Sequence, residues 1–286
     1  MPSELDPSLN RRKLRIALRK AREDAGQTQG EAANELEWSL SKLNRIEKGT
    51  VSVSVTDLRA LLRQYGVDDE EKVAELVNAA RGSKGQSWWT QWSDVANPRF
   101  SEYLGFEAAA VSLRTYQPIV VPGLLHTEEY ADALATPEVS DTNTRRRLVE
   151  FRTARQERVF DQDNGIEDLH FIVDEAALRR RIGTPAVMRG QLQRLLEVAE
   201  HPNATLQVLP FTAGALLSTQ TPFALLGFKD DDDLIYVEFS QAVIATRENY
   251  ELVANFQDCF EQLQEIAYSG SQAIDLISEV REGFAD

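Results

Sequence analysis

The apolar positions of the first 80 residues recur at helical spacing in five short blocks. Leu14, Ala17, Leu18 and Ala21 form one stripe over a helix spanning about 9–24, which Gly26 ends. Thr28, with Glu31 three residues on, predicts a capping box opening a second helix, whose Ala32, Ala33 and Leu36 face inward. Ser39 is the N-cap expected for a third helix, and Gly49 stands where a left-handed C-terminal residue belongs. Ser54 with Asp57 opens a fourth helix carrying Leu58, Leu61, Leu62 and Tyr65. Asp68 or Asp69 opens a fifth, with Val73, Leu76, Val77 and Ala80.

Beyond residue 81 the pattern changes. "RGSKGQS" (81–87) has the composition of a linker, and "WWTQW" follows it. Helical periodicity then covers about 98–115, 126–135, 142–161, 185–200, 249–268 and 272–282. Strand-like runs are "LHFIVD" (169–174), "TLQVLP" (205–210), "FALLGF" (223–228) and "LIYVEF" (234–239), with "KDDDD" as a polar hairpin turn between the last two. The expected architecture is an all-α helix-turn-helix domain of about five helices at 1–80 and a linker and aromatic segment at 81–94. An α+β domain with a small mixed or antiparallel sheet follows at 95–286.

Charge sharpens this division. Residues 1–65 hold 12 Lys/Arg and 9 Asp/Glu, a balance of +3; the remaining residues hold 19 and 37, a balance of −18. A slightly basic head on an acidic body implies that only the head meets a polyanion. Placed at 100° per residue, the third helix turns Leu43 and Ile46 inward and Ser41, Asn44, Arg45 and Lys48 outward. A solvated face would look the same. The preceding capped short helix and tight turn favour the helix-turn-helix, whose second helix enters the major groove. Asn and Arg are the side chains that grip adenine and guanine in bidentate fashion, and Ser and Lys reach phosphates.

The segment "LRKAREDAGQTQGEAANELEWSLSKLNRIEKG" resembles the helix-turn-helix of XRE-type regulators, the group of phage lambda repressor and Cro. The resemblance implies that Gln29 approaches DNA and that Ser39, Ser41, Lys42, Asn44 and Arg45 lie in or beside the groove. It also implies that Arg22 and Glu47 form a structural ion pair. Glu37 departs from the pattern, standing where many members carry Gly in the turn. The body, through "YQPIVVPGLLHTEEYADAL", "RRRLVEFRTARQERVF" and "DEAALRRRIGTPAVMRGQLQRLLE", is similar to the antitoxin-like C-terminal domain of actinobacterial XRE regulators. That similarity implies a small, separately encoded partner protein.

The remaining chemistry is sparse. His126, His170 and His201 lack ligand spacing and are expected in neutral surface or capping roles. Cys259 is expected as a small buried apolar residue. There is no glycine-rich phosphate loop, nucleophile elbow or cysteine pair, so no cofactor or metal is expected. The arginines of 142–161 read as a balanced surface helix, with a docking face for an acidic partner as the alternative. Trp88, Trp89, Trp92, Phe100 and Tyr103 are expected to pack the body's first helices, or else to line a ligand pocket or dimer contact.

Two functions remain in view. One is a cytoplasmic, homodimeric transcriptional regulator that binds a double-stranded operator. The other is an antitoxin-like interaction module that contacts DNA weakly. A third reading is an enzyme, with Asp174 and Glu175 near three arginines in "VDEAALRRRIG" as an acid/base or phosphate site. No apolar run approaches the ~20 residues that span a bilayer.

Overall fold

The computed structural model describes residues 7–47, 51–96, 98–214, 221–229, 232–238, 243–246 and 249–284. The chain divides into two compact units, Met1–Gln91 and Trp92–Asp286.

The first unit is helical: α1 (Pro7–Asp24), α2 (Gln29–Glu35), α3 (Leu40–Glu47), α4 (Val55–Gln64) and α5 (Glu70–Gly82). The starts of α2, α4 and α5 are fixed locally. Thr28 and Glu31 form a reciprocal capping box on α2, Ser54 caps α4 through Asp57 N, and Asp69 caps α5 through Glu71 N and Lys72 N. One core joins all five, built on Leu14, Leu18, Leu43, Ile46, Leu58, Leu61, Leu62 and Val77. The segment with a linker's composition is tied to this unit. α5 runs through Gly82, Ser83 is fully buried, and Arg11 donates to the carbonyls of Ser83 (3.0 Å) and Gly85 (2.5 Å). Trp88 and Trp89 meet edge to face at 5.7 Å.

The second unit is a six-stranded mixed sheet with helices on it. Its strands are β1 (Ser112–Gln117), β2 (Asp168–Asp174), β3 (Ala204–Leu209), β4 (Phe223–Gly227), β5 (Leu234–Glu238) and β6 (Val243–Thr246), in the order β3-β2-β1-β4-β5-β6. β1, β2 and β3 run parallel, and β4, β5 and β6 continue antiparallel. Its helices are α6 (Pro98–Glu107), α7 (Glu128–Ala135), α8 (Thr142–Val159), α9 (Glu175–Arg179), α10 (Pro185–Ala199), α11 (Tyr250–Ile266) and α12 (Ser271–Glu282). α11 packs on one sheet face through Val253, Phe260 and Leu263, against Tyr116, Ile172, Phe223 and Ile235. α10 packs against β3 and α12.

Four expectations are corrected. The helix expected over 98–115 stops at Glu107, and residues 112–117 form β1, the strand that joins the parallel and antiparallel halves. Helical continuity through Ala108–Ala110 masks the two-residue alternation that follows. β6 was also not anticipated from the pattern. His126 and His170 are buried core residues; only His201 caps, accepting from Asn203 N at 3.2 Å. Cys259 is half-buried at the edge of the α11 core. The turn between β4 and β5 joins an antiparallel pair, and its tip at 230–231 lies outside the described residues.

The arginines of α8 are mostly consumed inside the unit. Arg145 pairs with Asp132 (3.0 Å), Arg147 with Asp94 (2.7 Å), Arg146 with Glu150 (3.7 Å), and Arg155 with Glu107 through Nε (2.8 Å) and Nη2 (2.5 Å). A helix whose cations point at internal acids is a structural element of its unit. Asp174 caps α9 and accepts from the Tyr116 hydroxyl at 3.2 Å. Glu175 accepts from Arg179 Nε (2.7 Å) and from the backbone N–H of Phe211 (2.8 Å).

Candidate nucleic-acid interface

α2 and α3 are joined by four residues, Leu36 to Ser39. The chain leaves α2 in a Schellman turn: Trp38 N–H donates to Ala33 O at 2.8 Å and Glu37 N–H to Asn34 O at 3.0 Å. The turn requires a left-handed residue between them, and Glu37 takes it with φ 54°. That is the position where the resemblance leads one to expect glycine. Ser39 then caps α3, its Oγ accepting from Lys42 N at 3.2 Å. Leu43 and Ile46 bury into the core, which fixes the rotation of α3 about its own axis.

With that rotation set, Ser41 and Arg45 are exposed, and Asn44 and Lys42 half-buried. Leu40 opens the helix 53% exposed, an apolar side chain beside Ser41 that the helical wheel does not single out. Its signal in the sequence is a leucine in the first turn, outside the Leu43–Ile46 stripe. Lys48 lies outside the described residues.

Behind the exposed face runs a hydrogen-bond relay. Arg22 donates through Nε to Glu47 Oε1 (2.7 Å) and through Nη2 to Glu47 Oε2 (3.0 Å), with both residues buried. This is the fork geometry of a charge-assisted bidentate pair. The bond to Glu47 pushes the Arg22 guanidinium further toward its charged form. Arg22 Nη1 also donates to Gln27 O at 2.8 Å. Gln29 Nε2 donates to Glu47 Oε2 at 2.7 Å, and Asn44 Nδ2 donates to Gln29 Oε1 at 3.2 Å. The relay therefore sets which way both amides face. Gln29 is held by Glu47, and Asn44 spends one of its two amide protons on Gln29, leaving Oδ1 and the second proton to complete a bidentate grip on a base edge. Tyr65 stands beside this group; burial, and then the Glu47 charge, push its hydroxyl up to about 12.

Lys42 faces the other way. Its Nζ is 3.0 Å from Asp57 Oδ1 and 3.5 Å from the centroid of the Trp38 ring. It braces α3 against the first turn of α4, with its charge already met by a carboxylate and an aromatic face.

Two short helices at a fixed angle, the second presenting exposed polar and basic side chains from a rotation fixed by the core, define a helix-turn-helix DNA-binding regulator. Residues 13–76 match the family model described as a helix-turn-helix domain. Residues 100–279 match the model described as a domain of unknown function, DUF5753, and the chain belongs to that family. No curated protein and no solved structure matches the chain. Among the described residues, no helix is long and apolar enough to cross a membrane and no cluster of His, Cys, Asp or Glu could hold a metal ion.

Proposed function

We propose that the chain is a sequence-specific transcriptional regulator of the XRE type that reads a double-stranded operator with α3. Asn44 and Arg45 are its principal base-reading side chains. Ser39, Ser41 and Lys48 reach the backbone, Gln29 abuts the site from α2, and Leu40 offers an apolar contact to a thymine methyl. The observation that carries this reading is the relay Arg22–Glu47–Gln29–Asn44, which orients the half-buried amide of α3 from beneath. Lys42, already paired, contributes less than its charge implies.

The functional form is a homodimer, because one small helix-turn-helix covers too little DNA for tight specific binding. The acidic second unit supplies the dimer contact and receives a ligand or a small partner protein. This reading places the protein in the cytoplasm and gives it no catalytic role. Asp174 and Glu175, the side chains weighed as an acid/base pair, are engaged by a helix cap, a hydroxyl, an arginine and a backbone N–H.

The test begins with selection of bound sites from random duplex DNA by the full chain. Asn44→Ala and Arg45→Ala should each weaken binding to the selected site by ~1–3 kcal/mol and relax base preference at neighbouring positions. Unchanged specificity in both variants would show that another surface reads the DNA. Affinity capture from extract with and without nuclease separates the antitoxin-like alternative. A protein partner retained after nuclease, with no selected DNA site, would favour that alternative.

A further inference from the structure

On the sheet face opposite α11, the second unit holds a cavity of about 580 Å³, within the range of sites that take small molecules. Successive side chains of a strand point to opposite faces. Tyr116, Ile172 and Ile235 turn to α11, while Phe171, Thr115, Ala224 and Tyr236 turn to the cavity. These last four stand in one register row across β2, β1, β4 and β5. The row runs large, small, small, large, so the two central residues leave a trough between two aromatic rings. Thr115 spends its hydroxyl on the Phe223 carbonyl at 2.8 Å, which leaves the trough an apolar floor.

The wall contributed by the helices is aromatic as well. Phe100 and Tyr103 on α6 stack at 5.1 Å, Phe151 on α8 meets Phe100 edge on at 6.4 Å, and Tyr103 lies 4.3 Å from Tyr236. Here the aromatic residues that follow the tryptophan segment find their place, with Trp92 beside Phe151 at 6.0 Å. Each ring is held by another, so the walls are set before a guest arrives. A preformed slot of this kind suits a flat molecule.

Charge selects against ions. Among the described residues that line the cavity, only Arg152 and Arg155 are charged. Arg155 is met by buried Glu107 through Nε (2.8 Å) and Nη2 (2.5 Å), and its guanidinium lies over Phe100 (4.9 Å) and Tyr103 (5.4 Å). Arg152 Nη1 donates to His126 Nδ1 at 3.3 Å. Both guanidiniums are thus engaged by the protein itself, and an anion would have to compete with Glu107 for Arg155. No carboxylate lines the cavity among the described residues, so a cation would give up its water without gaining a counter-charge.

One polar group is left over. Gln117, half-buried at the end of β1, lines the same cavity two positions on from Thr115, and its amide makes no hydrogen bond among the described residues. An amide presents both a donor and an acceptor to a neutral partner. We propose that this cavity binds an uncharged, planar, polycyclic aromatic molecule, its rings over the trough at Thr115 and Ala224 and an edge carbonyl or N–H at the Gln117 amide. The proposal rests on the reading of the second unit as a receiver and names the chemistry of what it receives. Binding is measured on the full chain without DNA, so failure of operator recognition leaves this result intact, and the reverse holds.

Acridone, a neutral fluorescent tricycle with a carbonyl on one edge and an N–H on the other, is the probe. Fluorescence titration should show one acridone bound per chain. Acridine-9-carboxylate and 9-aminoacridine, its anionic and cationic counterparts at about pH 8, should displace it only at tenfold higher concentration or more. Ala224→Leu, which fills the trough, should abolish binding. Gln117→Leu should weaken acridone at least threefold and leave phenanthrene, which has no polar group, bound as before. Thermal unfolding without probe verifies that each variant is folded. Should Ala224→Leu fail to fold, Phe100→Ala, which removes one wall, should weaken acridone at least tenfold in its stead, and the ranking of the three acridine probes on the unaltered chain is read in every case. No acridone binding at its solubility limit, displacement by either ion at equal concentration, or binding indifferent to these substitutions in folded chains would overturn the proposal.

Discussion

Arg22 and Glu47 offer the sharpest test of how the DNA-binding unit is held together. Arg22 is 8% exposed and Glu47 5% exposed, and the carboxylate accepts three hydrogen bonds, two from Arg22 and one from Gln29. Changing Glu47 to Leu keeps the volume but strands a buried guanidinium with only Gln27 O and the neighbouring Glu23 for company. Changing Arg22 to Met strands a buried carboxylate held by one amide. Each single change should cost about 3–5 kcal/mol, the penalty of an uncompensated buried charge. The double change, Arg22→Met with Glu47→Leu, removes both charges and replaces them with apolar groups of similar bulk. It should fall within about 2 kcal/mol of the unaltered protein. The coupling energy is then at least about 4 kcal/mol, large against the 5–15 kcal/mol that holds a typical domain. Hydrogen exchange of α1 and α3 amides in the full chain reads these values without requiring the unit to be excised. The double variant carries a second expectation: Gln29 loses its acceptor, so Asn44 loses its orientation, and base preference should broaden although the fold is kept. Two single changes costing under 1 kcal/mol each and adding without coupling would refute the reasoning, because the pair would then behave as a solvated one.

Three further outcomes follow from particular contacts. Glu37→Gly relieves a left-handed backbone cost of ~1–2 kcal/mol against a glycine entropy cost of ~0.5–1, so head stability should rise by roughly 0.5–1 kcal/mol; a lower protection of α2 and α3 amides would contradict this. The same change deletes a negative charge near α3 and should strengthen DNA binding at low salt, an effect that fades as salt screens it. His126, neutral when folded with its proton affinity lowered to about 3, binds a proton in the unfolded chain below about 6.5 but not in the folded one. Stability is therefore unaffected above that pH and falls by about 1.4 kcal/mol per unit below it, so thermal unfolding between pH 7 and 5 should be steeper in pH for the natural chain than for His126→Gln. Gln191 is fully buried, accepting from Thr127 N (2.8 Å) and donating to Leu125 O (2.7 Å), so Gln191→Leu orphans both backbone groups and should lower the stability of the second unit by about 2–4 kcal/mol in chemical denaturation.

What the sequence determines here is local. Thr28, Glu31, Ser39, Ser54 and Asp69 each satisfy backbone groups within three residues, so the starts of α2, α3, α4 and α5 can be read from the chain. The stripe Leu43–Ile46 fixes which face of α3 turns inward, and the +3 of residues 1–65 against the −18 of the rest points to the N-terminal part as the one suited to a polyanion. What only the tertiary structure decides is non-local. β1 is a strand because β2, some 56 positions on, and β4, more than 100 on, supply its hydrogen bonds; alone, its residues continue a helical pattern. His126 and His170 are core residues because Val121 O, Arg152 and Gln207 satisfy their ring nitrogens, partners that spacing cannot reveal. The α8 arginines read in the sequence as a balanced surface helix, and only the fold names their partners by setting Asp94, Glu107 and Asp132 against them. The aromatic cluster of Phe100, Tyr103, Phe151 and Tyr236 is assembled from α6, α8 and β5, so no stretch of the chain contains it. Local hydrogen bonds and periodicity write secondary structure into the sequence, whereas a buried charge or cavity depends on which distant residues the fold sets opposite one another.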